Sequence, residues 1–361
     1  YQPPGWFGDF DNCLWDILGQ AAGLPVYALV GRVRDRLPVY LTGGDMDVEG
    51  YLRHIDLARE MGIGLEAMKI AVTSRSFSCH PVLRAELKAA FPGSNITYNE
   101  ERVFLAGDAL THYLQGHDMA IIALEKLDAA VLRGVPELKV ISKYGVGVDT
   151  LDLKELQSRG IRLGWTAGVN RRSVSELVIC FAITLLRHVK TAHDDVLDGF
   201  WRQMKGGELS GRKFGIIGCG RVGKDLVSLL NAFGCKLIVN DVVDYPLFYS
   251  EYNLEPMGLE DLLREADLVS LHTPLDNSTR NILSRDRIAL MKQSAILINL
   301  ARGGLVDERA LKVALKKGHL AGAAFDVFSS EPPADQELLR LPNFLVTPHI
   351  GGSSEEAILA M

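Results

Sequence analysis

The sequence predicts an α/β protein with two doubly wound parallel sheets and a partial α+β extension at the N terminus. Three observations favour this class. Short apolar strands alternate with helical segments from Lys69 onward, a glycine-rich loop follows one strand of the second half, and residues 1–68 join neither series. Alternation of strands and helices is typical of parallel sheets with helices on both faces. At 361 residues, the chain is also longer than one hydrophobic core usually serves.

The first 68 residues predict a single β/α beginning. FDNCLWDILGQAAG (10–23) has the apolar spacing of an amphipathic helix, RLPVYLTGG (36–44) is typical of a strand, and DVEGYLRHIDLAREMG (47–62) of a second helix. One such unit cannot close a sheet or bury its own apolar faces. We therefore expect residues 1–68 to be loosely held.

The first series of elements fills residues 69–169, which we predict to be a substrate-binding domain. Its five strands are KIAVT (69–73), NITYN (95–99), MAIIA (119–123), LKVISKYG (138–145) and IRLGWT (161–166). Its helices are HPVLRAELKAAF (80–91), GDALTHYLQG (107–116), DAAVLRG (128–134) and DLKELQSRG (152–160). Short loops marked by Gly or Asp separate them, as in a parallel sheet.

The second series fills residues 170–349 and predicts a nucleotide-binding domain, after which residues 350–361 return toward the first domain. A long helical stretch at 171–203 precedes six strands: KFGIIG (213–218), KLIVND (236–241), DLVSLH (267–272), AILINLA (295–301), AGAAFDV (321–327) and FLVTPH (344–349). Two such domains leave a cleft between them, and ligands favour the carboxyl ends of strands that face a cleft.

The loop GCGRVG predicts a dinucleotide site. Gly218, Gly220 and Gly223 follow an apolar strand and open a helix predicted at 224–233, the geometry that points unpaired helix N–H groups at a pyrophosphate. Gly218 allows the tight turn, and Gly220 allows the backbone to approach the phosphate. Gly223 allows the helix and the strand to pack closely. Arg221 and Val222 share this loop and are predicted cofactor-binding residues.

Asp241 ends the strand that follows the glycine-rich loop. A carboxylate at this position accepts hydrogen bonds from the adenine-ribose hydroxyls and repels a 2′-phosphate, so it favours NAD over NADP. The alternative is an ordinary aspartate in a turn.

Several further stretches resemble the D-isomer-specific 2-hydroxyacid dehydrogenase family over about residues 69–361. They are ISKYGVGVDTLDL (141–153), NRRSVSEL (170–177), HTPLDNSTRNIL (272–283), INLARGGLVD (298–307), AAFDVFSSEP (323–332) and VTPHIGG (346–352). The resemblance implies a flavodoxin-like substrate domain, a Rossmann domain that binds NAD, and a homodimer. It also implies hydride transfer at C2 of a D-2-hydroxy acid of the phosphoglycerate, hydroxypyruvate or glyoxylate class. It leaves the particular acid and the physiological direction open.

The same resemblance implies three catalytic residues. Arg302 matches the arginine that grips the substrate carboxylate, for which a guanidinium is suited. His349 matches the acid–base group, since an imidazole titrates near neutral pH. Glu331 matches the carboxylate that hydrogen-bonds this histidine and favours its protonated form. Taken singly, the arginine and the glutamate could be solvated surface residues, and the histidine a loop residue.

Supporting residues also carry over from the family. Arg302 is also a predicted substrate-binding residue. The loop Gly145, Val146 and Gly147 is predicted to receive the substrate carboxylate, and Arg75 to contact the distal end of the substrate. The predicted residues along the cofactor, besides the glycine-rich loop, are Thr273, Pro274, Ala301 and Asp326. Each of these has a structural alternative: residues 145–147 could form a surface turn, Asp326 a cap, and Arg75 a surface arginine. His272 is expected to be structural.

Two other functions stay open. Transcriptional corepressors use the same NAD-binding scaffold mainly for assembly, and they retain the Arg–Glu–His set. The stretch DNCLWDILGQAAGLPVYALVG (11–31) with RDRLPVYLTGG (34–44) resembles a truncated piece of the mandelate racemase branch of the enolase superfamily. A remnant sugar-acid dehydratase fusion is therefore the third hypothesis. The carboxylates that would bind its magnesium ion are absent, and we predict no metal site.

Charge and cysteine content exclude several classes of partner. A net charge of −6 without a long basic run argues against nucleic acid and anionic membranes. The longest apolar run (177–186) has about half the length that a bilayer requires. The five cysteines are odd in number and scattered. They indicate free thiols in a reducing compartment, and we expect a cytoplasmic protein.

Overall fold

The computed structural model describes residues 68–361, which belong to one compact unit. The predicted N-terminal extension lies outside the described residues, except for Met68. The expectations that this extension is loosely held, that it resembles an enolase-superfamily segment and that Cys13 is a free thiol concern residues outside the described part. They stay predictions. In the described part of the chain, no helix is long and apolar enough to cross a membrane.

The first sheet contains five parallel strands: β1 Lys69–Val72, β2 Asn95–Tyr98, β3 Met119–Ile122, β4 Val140–Lys143 and β5 Arg162–Gly164. Their order across the sheet is β2, β1, β3, β4, β5. This order confirms the five predicted strands and the flavodoxin-like class. The strand order reverses between β1 and β3, and such switch points favour ligands at the carboxyl edge.

Five helices cover this sheet: α1 Arg75–Cys79, α2 Pro81–Ala90, α3 Gly107–Leu114, α4 Ala129–Arg133 and α5 Leu153–Ser158. The four predicted helices are confirmed. Helix α1 was not predicted, because five residues are too few to show a helical period. It is nevertheless capped, since the Ser74 hydroxyl accepts the N–H of Phe77 at 3.3 Å.

The second sheet contains seven parallel strands: β6 Lys213–Ile217, β7 Lys236–Asn240, β8 Glu255–Pro256, β9 Leu268–Leu271, β10 Ile296–Asn299, β11 Gly322–Phe325 and β12 Phe344–Val346. Their order is β12, β11, β10, β9, β6, β7, β8, which confirms the six predicted strands and the Rossmann class. Strand β8 was missed, since it has two residues and contains a proline tolerated only at a sheet edge.

Nine helices accompany this sheet and the C terminus: α6 Arg171–Leu186, α7 Val189–Leu197, α8 Arg221–Ala232, α9 Pro246–Glu251, α10 Leu259–Glu265, α11 Arg285–Leu290, α12 Glu308–Lys316, α13 Gln336–Leu339 and α14 Glu355–Ala360. The continuous helical stretch predicted at 171–203 is wrong. His188 adopts a left-handed conformation, with φ of 53°, that breaks the helix between α6 and α7. Helix α8 begins at Arg221, three residues before the predicted start, because its first turn is part of the glycine-rich loop.

Helix α14 reaches the first sheet. Ile358 in this helix and Met361 just after it pack on the apolar cluster that contains Ile70 and Tyr144. The Glu355 carboxylate lies 3.1 Å from Nε2 of His80, just before α2. The domain boundaries at 69–169 and 170–349 stay predictions.

Candidate active site

Three neighbouring strands of the second sheet deliver the three predicted catalytic residues to one edge. Asn299 at the end of β10 pairs in register with Phe325 at the end of β11. Phe325 in turn pairs with the last residue of β12. Arg302, Glu331 and His349 follow these three ends in the same order. Carboxyl ends of parallel strands share one edge, so residues far apart in the sequence meet there.

The side chains of His349 and Glu331 form a hydrogen-bonded pair. Nδ1 of His349 lies 2.8 Å from Oε2 of Glu331. The other carboxylate oxygen accepts the N–H of Phe328 at 3.1 Å, which fixes the carboxylate plane. Nδ1 is thereby occupied, and Nε2 is the ring nitrogen left for another partner.

The backbone at His349 is held in a strained conformation by Asp326. His349 has φ of 56°, which a non-glycine residue rarely adopts and which costs about 1 kcal/mol. The Asp326 carboxylate accepts the N–H groups of Ile350 at 2.8 Å and Gly351 at 2.7 Å, as well as the Thr347 hydroxyl. Asp326 thus caps the turn that aims His349. This is the alternative reading of Asp326, and its contact with the cofactor stays a prediction.

The charges around His349 favour the imidazolium. The hydrogen bond that His349 donates to Glu331 raises the pKa of His349, burial opposes this rise, and the Glu331 and Asp326 charges add to it. Burial alone would raise the pKa of Glu331, but the hydrogen bond and charge of His349 outweigh it and lower that pKa. The Arg302 charge lowers both pKa values, so all three side chains lie within electrostatic reach of one another.

Arg302 is held at two of its three nitrogens. Nε donates to Oδ1 of Asp149 at 2.9 Å, and Nη1 donates to the carbonyl of Ala301 at 2.6 Å. The Asn299 amide fixes the same loop, because it donates to the Arg302 carbonyl at 2.9 Å and accepts the N–H of Ala301 at 3.1 Å. Among the contacts of the described residues, Nη2 has no hydrogen-bond partner.

Nη2 of Arg302 lies directly on Gly147. A Cβ at Gly147 would collide with this nitrogen, so a side chain there would force the guanidinium to move. The predicted carboxylate loop therefore faces the predicted carboxylate-binding arginine. Both border a cleft of about 820 Å³ whose other walls include Val146, Trp165 and Pro274. The Trp165 indole donates to the Val146 carbonyl at 2.9 Å and steadies the loop.

The glycine-rich loop has the geometry that a dinucleotide requires. Gly218 has φ of +100°, and a Cβ there would lie 2.7 Å from the carbonyl carbon of His272. A Cβ at Gly223 would collide with the Gly218 carbonyl oxygen, whereas a Cβ at Gly220 would meet open space. Within the described residues, no side chain caps the start of α8. Its N–H groups are therefore available to a phosphate, and these residues fit NAD.

Asp241 closes this loop from the end of β7. Its carboxylate accepts the N–H of Cys219, within the loop, and the N–H of Val243 at 2.8 Å. The Lys224 ammonium lies 3.4 Å from the centre of the Tyr245 ring. The side chain of Arg221 packs on Gly168. Val222 is tied to α6, since its carbonyl accepts the Ser175 hydroxyl at 3.4 Å.

The segment after β9 borders both the loop and the cleft. Cγ2 of Thr273 would lie 2.9 Å from a Cβ at Gly218, and Pro274 lines the cleft with Arg302. Nε2 of His272 and Oγ1 of Thr273 are buried without a hydrogen-bond partner in the described part of the chain. Burial lowers the pKa of His272 to about 4, so this imidazole is neutral. The unpaired Thr273 hydroxyl could hydrogen-bond a ligand that lies along the segment after β9.

The contact that the structure shows for Arg75 is with an aromatic side chain. Its guanidinium lies 5.9 Å from the centre of the Phe104 ring, and both side chains are exposed. No hydrogen bond or ion pair between residues 68–361 joins it to Arg302 or His349. Its contact with a substrate stays a prediction. Residues 68–361 contain no group of three His, Cys, Asp or Glu side chains that could hold a metal ion.

Sequence reasoning did not single out three residues that lie in or beside the site. Asp149 holds Arg302, Asn299 holds the loop after β10, and Lys143 lies buried at the end of β4. A signal was available for two of them. Asp149 follows the Gly–Val–Gly–Val run, and Lys143 is a charged residue at the end of the apolar strand VISK.

Comparisons with known proteins give a consistent result. Residues 179–351 match the family model described as D-isomer specific 2-hydroxyacid dehydrogenase, NAD binding domain. The chain is 40% identical over 240 residues to a D-3-phosphoglycerate dehydrogenase of Methanocaldococcus jannaschii, which covers 64% of this chain and 45% of the relative. It is 36% identical over 263 residues to a hydroxypyruvate reductase of Thermotoga maritima, which covers 70% of this chain and 84% of the relative.

Solved structures share the fold. The crystal structure of a D-lactate dehydrogenase from Aquifex aeolicus, complexed with NAD and lactic acid, matches with a TM-score of 0.70 at 26% identity. The match covers 81% of this chain and 91% of that one. The chain thus spans nearly all of this structure, but less than half the length of the phosphoglycerate dehydrogenase relative.

Proposed function

Because the chain belongs to the D-isomer specific 2-hydroxyacid dehydrogenase family, we propose that it interconverts a D-2-hydroxy acid and its 2-keto acid with NAD. The family consists of NAD-dependent oxidoreductases. The relatives suggest substrates of the phosphoglycerate, hydroxypyruvate or glyoxylate class. The observation that carries the proposal is the convergence of the His349–Glu331 pair and Arg302 at the ends of three adjacent strands.

The contacts support one task for each side chain. Nη2 of Arg302 and the backbone N–H groups of residues 145–147 receive the substrate carboxylate, which leaves the C2 oxygen turned toward His349. NAD supplies or accepts the hydride at C2. Nδ1 of His349 is held by Glu331. Nε2 therefore gives the proton to the C2 oxygen during reduction and takes it back during oxidation.

A panel of keto acids tests the proposal. We expect the full chain to oxidise NADH with at least one of hydroxypyruvate, glyoxylate, phosphohydroxypyruvate and pyruvate. NADH should be preferred to NADPH, because the Asp241 carboxylate would repel a 2′-phosphate. The measurement is the loss of NADH absorbance.

Failure of this panel has a defined meaning. Absence of turnover in a folded protein with measured NADH binding would overturn the dehydrogenase proposal. If NAD then changed the size of the assembly, the corepressor hypothesis would take its place.

We also propose that the chain forms a homodimer. Large apolar side chains are exposed along α7 and the segment after it: Val189, Val196, Leu197, Phe200, Trp201 and Met204. Trp201 is 84% exposed and Leu197 73%. Exposed apolar patches of this kind usually mark an interface. Sedimentation should give the mass of two chains, and Trp201→Glu should shift it to that of one. A monomeric unsubstituted chain at micromolar concentration would contradict the proposal.

A cytoplasmic location is the last part of the proposal. The four cysteines in the described part of the chain are free thiols: Cys79, Cys180, Cys219 and Cys235. Thiols of this kind suit a reducing compartment, in which NAD-dependent redox chemistry also takes place.

A further inference from the structure

Lys143 is a buried cation beside the 145–147 loop. It is the last residue of β4, in the interior of the first sheet, and it is 6% exposed. Its ammonium donates to the carbonyl of Ala123 at the end of β3. An ammonium carries three N–H donors. Lys143 has no ion pair and no second hydrogen bond among the described residues, so two donors are unused.

The charges that face Lys143 do not neutralise it. From the β3 side, Glu125 is buried, and its Oε2 is bound to the N–H of Ala123 at 2.7 Å. From the loop after β4, Asp149 is bound to Arg302. Burial lowers the pKa of Lys143 to about 8, with a further decrease caused by Arg302, and the two carboxylates offset part of this. At neutral pH the group is therefore mostly charged, although an unpaired buried charge costs several kcal/mol.

The position of this ammonium relative to the carboxylate loop suggests its use. Nζ of Lys143 would lie 3.6 Å from a Cβ at Gly145, and Arg302 packs on Gly147 at the other end of the same loop. The two cations thus flank the three residues 145–147. A carboxylate received by that loop would lie between them and could occupy the free donors of both.

We propose that Lys143 is a second substrate-binding cation, which holds the carboxylate of the 2-keto acid together with Arg302. This inference rests on the proposed function and extends it. It predicts a site selective for substrates whose carboxylate is ionised.

The test uses Lys143→Met, which removes the charge and keeps the length and the apolar stem. We expect the KM for the preferred keto acid to rise by about 10-fold to 30-fold, because one charged hydrogen bond is lost. The affinity for NADH should stay unchanged, and kcat should change less than KM. The control is Lys88→Met, which removes an exposed lysine from α2.

Thermal unfolding separates substrate binding from a structural role. An unpaired buried cation destabilises the fold, so Lys143→Met should melt at the same or a higher temperature while it binds substrate less tightly. A variant with an unchanged KM, or one whose melting temperature and activity fall together, would overturn the inference. Failure of the proposed function would instead appear as absence of turnover in the unsubstituted chain and in Lys88→Met.

If no keto acid is turned over, binding of oxalate to the NADH-saturated protein gives a separate measurement. Oxalate should bind the unsubstituted chain at least about tenfold more tightly than it binds Lys143→Met. Equal binding by the two proteins would again reject Lys143 as a carboxylate-binding cation.

Discussion

Replacement of His349 by glutamine should lower kcat for keto-acid reduction by about 100-fold to 10,000-fold, the range typical of general acid–base catalysis. Glutamine can still hydrogen-bond, but it cannot deliver a proton from Nε2. The affinity for NADH should be unchanged, because His349 belongs to the turn after β12 and not to the glycine-rich loop. Steady-state kinetics together with NADH titration measure both quantities.

Glu331 controls how the rate of reduction depends on pH. The carboxylate raises the pKa of His349, so the proton-donating form persists to a higher pH than an isolated imidazole would allow. Reduction needs this protonated form, and its rate falls as pH rises through that pKa. In Glu331→Gln, the hydrogen bond loses its charge while burial still lowers the pKa of His349. The alkaline limb of kcat/KM for reduction should therefore move to lower pH.

His112→Gln is the matched control, since His112 is exposed on α3 and has no part in the cleft. It should retain the kinetics and the pH profile of the unsubstituted chain. Retention of most of kcat in His349→Gln would assign the proton transfer to another group. An unmoved pH limb in Glu331→Gln would show that a different titration controls the rate.

Long-range order along the chain could be predicted because the signals are repetitive. Each strand of both sheets except β8 is an apolar run bounded by turn residues, and alternation with helices implies parallel pairing. The glycine-rich loop could be predicted for a different reason. Its three glycines have separate steric requirements, which the backbone at Gly218 and the close contacts at Gly218 and Gly223 now show.

The parts that could not be predicted depend on which side chains meet across the cleft. Asp149 and Arg302 are separated by 153 positions, and no local pattern links them. The break at His188 depends on a single left-handed residue between two helical runs, and composition does not reveal it. For Asp326 the sequence left a cofactor contact and a cap as alternatives, and the fold shows that its carboxylate holds the turn around His349.

Arg302→Lys should lower kcat/KM for the keto acid by about 100-fold. In the structure, one guanidinium meets Asp149 through Nε, Ala301 through Nη1 and the Gly147 loop through Nη2. A lysine ammonium is a single point charge that cannot hold three fixed directions. Each charged hydrogen bond contributes roughly 1.5–3 kcal/mol, and about 1.4 kcal/mol corresponds to a factor of ten. Both KM and kcat should suffer, because the guanidinium binds the carboxylate and orients the carbonyl beside it.

Asp149→Asn separates the orientation of Arg302 from its charge. Asparagine still offers an oxygen to Nε, so the guanidinium keeps its place but is less firmly held, and kcat/KM should fall only several-fold. Arg264→Lys supplies the control, because Arg264 pairs with Asp261 on the exposed face of α10. If Arg302→Lys behaved like Arg264→Lys, the free Nη2 over Gly147 would have no part in substrate binding. If Asp149→Asn lost as much activity as Arg302→Lys, the ion pair itself would be the essential element, with Asp149 required to hold the guanidinium over the loop.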